Sequence, residues 1–249
     1  MNEELRTETG EVEDPKRRTF LKYMTIAAFA AAGAGALRAT VQNIIPKSAG
    51  ITGFPQLLLV DSTTGKAIST SDLKVNNSAV VTFDYPLQGE PNFLLRLGDS
   101  GGNDVKVNSV NVKIPASGKT FQSPEGVGPY GSVVASSAIC QHLGCVPPII
   151  HFYKPGTSIP NGPSGSQNTN GLIHCNCHGS TYDPLKGFGI ITGPTQNPLP
   201  NVALKYDKTK DQYYTLSMVG PTIYGHSSDL SGGNPLPSGS QTEVTTQSA

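Results

Sequence analysis

The sequence has no tryptophan and only 7% aromatic residues, and its basic and acidic side chains balance at eighteen each. Without an excess of positive charge, and with few rings to stack on bases, nucleic-acid binding is a poor fit. Charge itself is scarce, at 14% of residues against roughly a quarter in an average soluble protein. The shortage is sharper beyond the N-terminus, because Glu3, Glu4, Glu8, Glu11, Glu13 and Asp14 take six acids before residue 15 and leave twelve for the rest. Serine, threonine, asparagine and glycine carry the remaining polarity. Such a surface suits an acidic exterior, where neutral hydrogen-bonding groups keep their state while carboxylates protonate and lose their native pairing. It suits an ordinary extracytoplasmic β-protein equally well. Cysteine is scarce too, four in 249 residues, which is too few for a disulfide-stapled chain of a length that buries a core without them.

Helical periodicity is also lacking beyond Pro46, where no apolar pattern of period 3.6 runs longer than about ten residues. What stands there instead is a series of short β-rich segments broken by Gly, Pro, Asn and Asp. Residues 54–61, 78–86, 92–98, 104–115, 132–139, 202–208 and 212–220 read as strands, with period-two alternation clearest in VKVNSVNVKI. An all-β sandwich or barrel follows. Two stretches depart from the pattern. Residues 154–171 form a long Pro/Gly/Ser/Asn loop, and residues 227–249 have too little apolar content for a core and read as a disordered tail.

The N-terminus reads as a membrane or export signal. A basic cluster, Lys16, Arg17, Arg18 and Lys22, precedes an uncharged apolar run from Tyr23 to Leu37. That run matches a signal h-region, and it reaches spanning length if the helix continues past Arg38 to Ile45. Arg17-Arg18-Thr19-Phe20-Leu21-Lys22 is similar to a twin-arginine signal, which exports folded, cofactor-loaded proteins. The basic flank places residues 1–22 in the cytoplasm, residues 23–45 in a signal or single anchor helix of the cytoplasmic membrane, and the bulk on the extracytoplasmic face. Small residues at 32–36 also permit cleavage.

All four cysteines lie in two short motifs, Cys140-x-His142-x-x-Cys145 and Cys175-x-Cys177-His178. Six soft or borderline ligands exceed what one tetrahedral zinc takes, and the spacing is not that of a zinc finger. Two disulfides would leave both histidines unexplained. CQHLGC followed by CNCHGSTY resembles the Rieske iron-sulphur proteins of quinol-oxidising cytochrome bc-type complexes, most of all the larger archaeal members. Such centres replace two cysteines by two histidines on one iron.

That resemblance implies the fold and the site. The fold is an antiparallel β-sandwich base with a small inserted cluster-binding subdomain near 137–195, the whole Rieske domain spanning 46–226. A Rieske-type 2Fe-2S cluster is bound by Cys140, His142, Cys175 and His178, and Cys145 pairs with Cys177 in a disulfide. Ser180 and Tyr182 donate hydrogen bonds that raise the potential. Leu143, Gly193 and Pro194 shield the cluster. His178, the more exposed ring, and His142 are the groups that meet substrate. The implied activity is an electron-transfer subunit that accepts an electron and a proton from quinol, beside a cytochrome b-like subunit, and passes the electron to a haem protein. A Rieske subunit of an arsenite-oxidase-like molybdoenzyme is the alternative.

This sequence departs from the family pattern in three respects. The 29 residues between Cys145 and Cys175 are roughly twice the usual gap; Gln141 and Asn176 stand where threonine and proline are common; and Thr195-Gln196 follows Gly193-Pro194.

Overall fold

The structure, a computed structural model, describes residues 51–248. The expected cytoplasmic N-terminus at 1–22 and anchor at 23–45 lie outside the described residues. Among those described, no helix is long and apolar enough to cross a membrane, and the helical pieces are two single 3-10 turns, Thr70–Asp72 and Pro184–Lys186.

In chain order the strands are β1 (Leu58–Asp61), β2 (Val80–Asp84), β3 (Pro91–Arg96), β4 (Asn111–Lys113), β5 (Thr120–Gln122), β6 (Val133–Ser137) and β7 (Ile150–Tyr153). They continue with β8 (Leu172–Cys175), β9 (Ser180–Asp183), β10 (Gly189–Thr192), β11 (Asn201–Asp207), β12 (Gln212–Val219) and β13 (Gln241–Gln247). Seven of them close a barrel in the order β1-β12-β11-β6-β3-β2-β13, while β10-β9-β8-β7 form a separate antiparallel sheet and β4-β5 a small hairpin.

Strands β3 and β6 are apolar on both faces because both faces are covered. Leu94, Val133 and Ala135 point into the barrel with Leu59, Phe83, Val202 and Val244. The alternate residues Phe93, Leu95 and Val134 point the other way, into a second core shared with Ile150, Ile173, Tyr182, Cys140 and Cys175. Side chains at successive positions leave a strand on opposite sides, so one pair of strands serves two cores. Each fully buried large apolar side chain, such as Ile150 or Ile173, contributes about 2 kcal/mol relative to exposure. The four-stranded sheet is thereby packed on the barrel wall, with two of the cysteines inside the shared core.

Three expectations are corrected. The base is a closed barrel rather than a sandwich, and it is not wholly antiparallel, since β13 runs parallel to β1 and antiparallel to β2. The stretch 227–249, expected as a disordered tail, supplies β13, which closes the barrel by joining the two strands that would otherwise be edges. Its Thr242 and Val244 face inward and are 4% exposed, and Thr242 Oγ1 donates to the Asp84 carbonyl at 2.7 Å. The strand expected over 104–115 shrinks to Asn111–Lys113, because Asp104 turns its carboxylate inward to accept two hydrogen bonds from Arg96, at 2.8 and 2.7 Å.

The long loop 154–171 is folded around Asn168, which is fully buried. Its Nδ2 donates to the carbonyls of Lys154 and Thr157, at 2.9 and 3.0 Å. The short strands on either side of this loop, β7 to β10, escape a sequence reading because each is only four residues long.

Candidate metal centre

Two loops at the end of the four-stranded sheet carry the cysteine and histidine motifs. The first leaves β6 and closes on itself: the Cys140 N–H donates to the Cys145 carbonyl and the Gly144 N–H to the Cys140 carbonyl, both at 2.9 Å. Gly144 takes a φ of +77°, a left-handed conformation that a side chain resists. The second loop joins β8 to β9, and the Gly179 N–H returns to the Cys175 carbonyl at 2.9 Å. Register places Cys175 opposite Ile150 on one side and Ser180 on the other.

Cys145 and Cys177 form a disulfide that ties the two loops together. Cys140 and Cys175 are free, and both are buried, at 2% and 1% exposure. The imidazoles of His142 and His178 meet edge to face, with centroids 4.9 Å apart; His142 is half-buried and His178 exposed. The expected residues are thus gathered in one place. Cys145, Cys177 and His178 also cluster within 4.8 Å, but the disulfide occupies both sulphurs and leaves a single ligand there.

Tyr182, fully buried on β9, lies with its hydroxyl 3.4 Å from Cys140 Sγ and accepts the Gln141 N–H at 3.2 Å. With that N–H on its oxygen, the phenol is left to donate its own proton to sulphur. Burial pushes the Tyr182 phenol up, reinforced by the neighbouring Cys140, so it stays protonated. The Cys140 thiol is held below its ordinary value, first by the hydrogen bond from Cys175, against burial, and then by Tyr182.

Ser180 Oγ and His142 Nδ1 are buried without a protein hydrogen-bond partner. A buried polar atom left so costs about 1–3 kcal/mol, which a folded chain accepts where another group meets it. Two free buried thiols, two imidazoles and an unpartnered hydroxyl in one place fit a group that takes sulphur and nitrogen ligands with hydrogen bonds around it.

The flanking residues fall into two sets. Leu143 projects from the first loop, 55% exposed. Gly193 passes directly over the second: a Cβ there would come within 2.6 Å of the Gly179 carbonyl oxygen, so only glycine permits the approach. Pro194 beside it is exposed, and Thr195 is buried, its Oγ1 donating to the Asn197 carbonyl at 2.9 Å. Asn176 is accounted for locally, since its N–H donates to the Ile149 carbonyl at 3.0 Å and its amide Nδ2 donates to the Tyr153 hydroxyl at 3.1 Å. His174 is fully buried with Nδ1 2.8 Å from Thr181 Oγ1, and no sequence pattern announces that pair.

Comparison with known proteins agrees with this geometry. Residues 104–203 match the family described as the Rieske [2Fe-2S] domain. The cytochrome b6-f complex iron-sulfur subunit 1 of Nostoc sp. is 25% identical over 212 residues, covering 85% of this chain and 89% of that protein. The cytochrome b6-f complex iron-sulfur subunit of Synechococcus elongatus is 25% identical over 199 residues, covering 80% and 85%. Among solved structures, the soluble domain of the Rieske protein II (soxF) from Sulfolobus acidocaldarius has 24% identity and a TM-score of 0.46, covering 73% of this chain and 86% of that one. Residues 104–203 are thus a Rieske [2Fe-2S] domain, and its cofactor is a Rieske-type 2Fe-2S cluster.

Proposed function

We propose that this chain is the electron-transfer subunit of a quinol-oxidising, bc-type membrane complex, with Cys140, Cys175, His142 and His178 holding the cluster. The observation that carries the reading is the asymmetry of the site: two buried thiols inside, and outside them one half-buried and one exposed imidazole. When bound, the cluster supplies acceptance of one electron at a time.

The chain's own residues do the rest. Cys140 and Cys175, fixed by the shared core and by strand β8, present thiolates from within. Tyr182 donates a hydrogen bond to the Cys140 sulphur, and Ser180 offers a second hydroxyl, which together favour the more electron-rich state. Gly193 lies against the second loop, and with Leu143 and Pro194 it is assigned the shielding of the cluster from water. The exposed ring nitrogen of His178 accepts the hydrogen bond of a quinol hydroxyl and takes its proton, with His142 as the second such group. Electron and proton thus leave the substrate at one place, and the electron passes on to a haem-containing partner.

The anchor at 23–45, an extracytoplasmic domain and a tether near residues 38–50 complete the proposal, which the N-terminal sequence supports. The curated relatives named above are cytochrome b6-f subunits, which supports a bc-type pathway over the arsenite-oxidase-like alternative. Stopped-flow reduction of the oxidised, iron-loaded chain by a short-chain quinol tests the substrate. The rate is expected to rise with pH, since the reaction releases a proton from the quinol, and to collapse in His178→Gln. A rate indifferent to both points to a donor other than quinol.

A further inference from the structure

Each loop of the centre is braced from outside its own strands. The second lies under Gly193, as expected from the sequence. The first has a counterpart that the sequence does not announce, Tyr224, which follows the barrel strand β12. A Cβ built on Gly144 would lie 2.9 Å from Tyr224 Cδ1 and 3.1 Å from Cε1, so the ring rests directly on the Gly144 backbone. Gly144 sits two residues from His142, in the left-handed conformation that closes the loop. Tyr224 remains 39% exposed and belongs to neither apolar core.

The turn that carries the ring is built around its neighbours. Ile223, beside it, is buried in the barrel at 1% exposure, and its N–H donates to Asp229 Oδ1 at 2.8 Å. On the other side the His226 N–H donates to the Ile223 carbonyl at 3.0 Å, and His226 Nδ1 lies 3.2 Å from a carboxylate oxygen of buried Glu90. The turn that presents Tyr224 is closed on itself by two hydrogen bonds and joined to the barrel core through Ile223.

We infer that Tyr224 is a positioning residue for the metal centre: its ring braces the 140–145 loop against the barrel and fixes the orientation from which His142 reaches the cluster. The inference rests on the reading of Cys140 and His142 as ligands. A glycine-containing loop closed by two backbone hydrogen bonds has alternative conformations, and a rigid ring packed on it removes them. The contact is made by ring carbons, so the phenol oxygen has no part in it.

The test uses the full-length, iron-loaded chain and the variants Tyr224→Ala, Tyr224→Phe and Tyr224→Leu. Iron release to a chelator and the pH profile of the midpoint potential are measured beside the melting temperature of the iron-free protein. Tyr224→Ala is expected to release iron on the order of tenfold faster, which corresponds to about 1.4 kcal/mol of lost bracing, and to shift the pH profile; Tyr224→Phe is expected to match the wild type in both. If Tyr224→Ala does not accumulate as folded protein, Tyr224→Leu is judged on the same readouts. Wild-type release and an unmoved pH profile, with only a lower melting temperature, overturn the brace and leave the site reading intact. A wild-type chain that binds no iron overturns the ligand reading itself, and the brace with it.

Discussion

Two polar groupings in this protein, one half-buried and one buried, are built in opposite ways. In the barrel, Arg96 donates two hydrogen bonds to Asp104 and two more to the carbonyls of Thr70 and Leu73, while Ser132 also donates to Asp104. Arg96 first, and Ser132 after it, hold the Asp104 carboxyl below the usual carboxylate range. At the loop tips, two thiols, a ring nitrogen and a hydroxyl are buried, and neither Ser180 Oγ nor His142 Nδ1 has a protein partner. The first grouping is complete within the chain and serves stability. The second is completed only by a bound group, and it marks where function lies.

The sharpest way to break this comparison is to remove one member from each side. Cys175→Ser is expected to abolish iron binding while the barrel's melting transition persists, read by iron analysis and calorimetry. Asp104→Asn, which weakens three charge-assisted hydrogen bonds, is expected to cost about 3 kcal/mol of stability and to leave the iron content at wild-type level. Equal iron loss in both variants would show the two groupings to be one structural unit. Next in size is the disulfide: the double variant Cys145→Ser, Cys177→Ser is expected to lose about 3 kcal/mol and to release iron faster, since nothing else covalent links the loops.

A third prediction concerns pH and belongs to the barrel side. Burial pushes the Glu90 carboxyl up to about 8, with Asp229 and Asp84 adding like charge, and His226 faces it at 3.2 Å. A carboxyl raised in the folded state is held more tightly there than in the unfolded chain. Its stabilisation is therefore full below the ordinary glutamate value, near 4.3, and is lost as pH climbs toward about 8. The iron-free protein is expected to melt at a higher temperature at pH 5 than at pH 8, and Glu90→Gln is expected to flatten much of that slope. A slope unchanged in the variant would assign the pH dependence elsewhere. The smallest effect is at the centre, where Tyr182→Phe removes one hydrogen bond to sulphur. At about 1 kcal/mol the midpoint potential should fall by roughly 40 mV for a one-electron couple, with iron content unaltered.

The legible parts of the molecule were those marked by rare residues at close spacing or by strict alternation. Four cysteines in two short motifs can hardly be coincidental, and the structure pairs Cys145 with Cys177 and leaves Cys140 and Cys175 free in the core. Strands β2, β6, β11 and β12 carry enough β-branched and aromatic residues to be read directly, and β3 is read from its apolar Phe93, Leu94 and Leu95. Strand β13 was hidden because its inward positions are Thr242 and Val244, and polar residues around them mimic a tail. Without it, β1 and β2 stand as edges that the structure closes. Tyr224 on Gly144 was hidden for another reason: a ring resting on a glycine backbone 80 positions earlier leaves no local pattern.

The central claim is tested most directly by a redox titration of the full chain, followed by electron paramagnetic resonance over a wide pH range. The account predicts a rhombic iron-sulphur signal whose high midpoint potential falls as pH rises, because electron and proton uptake are coupled at the centre. A low potential indifferent to pH, or no iron signal in the folded protein, would contradict it.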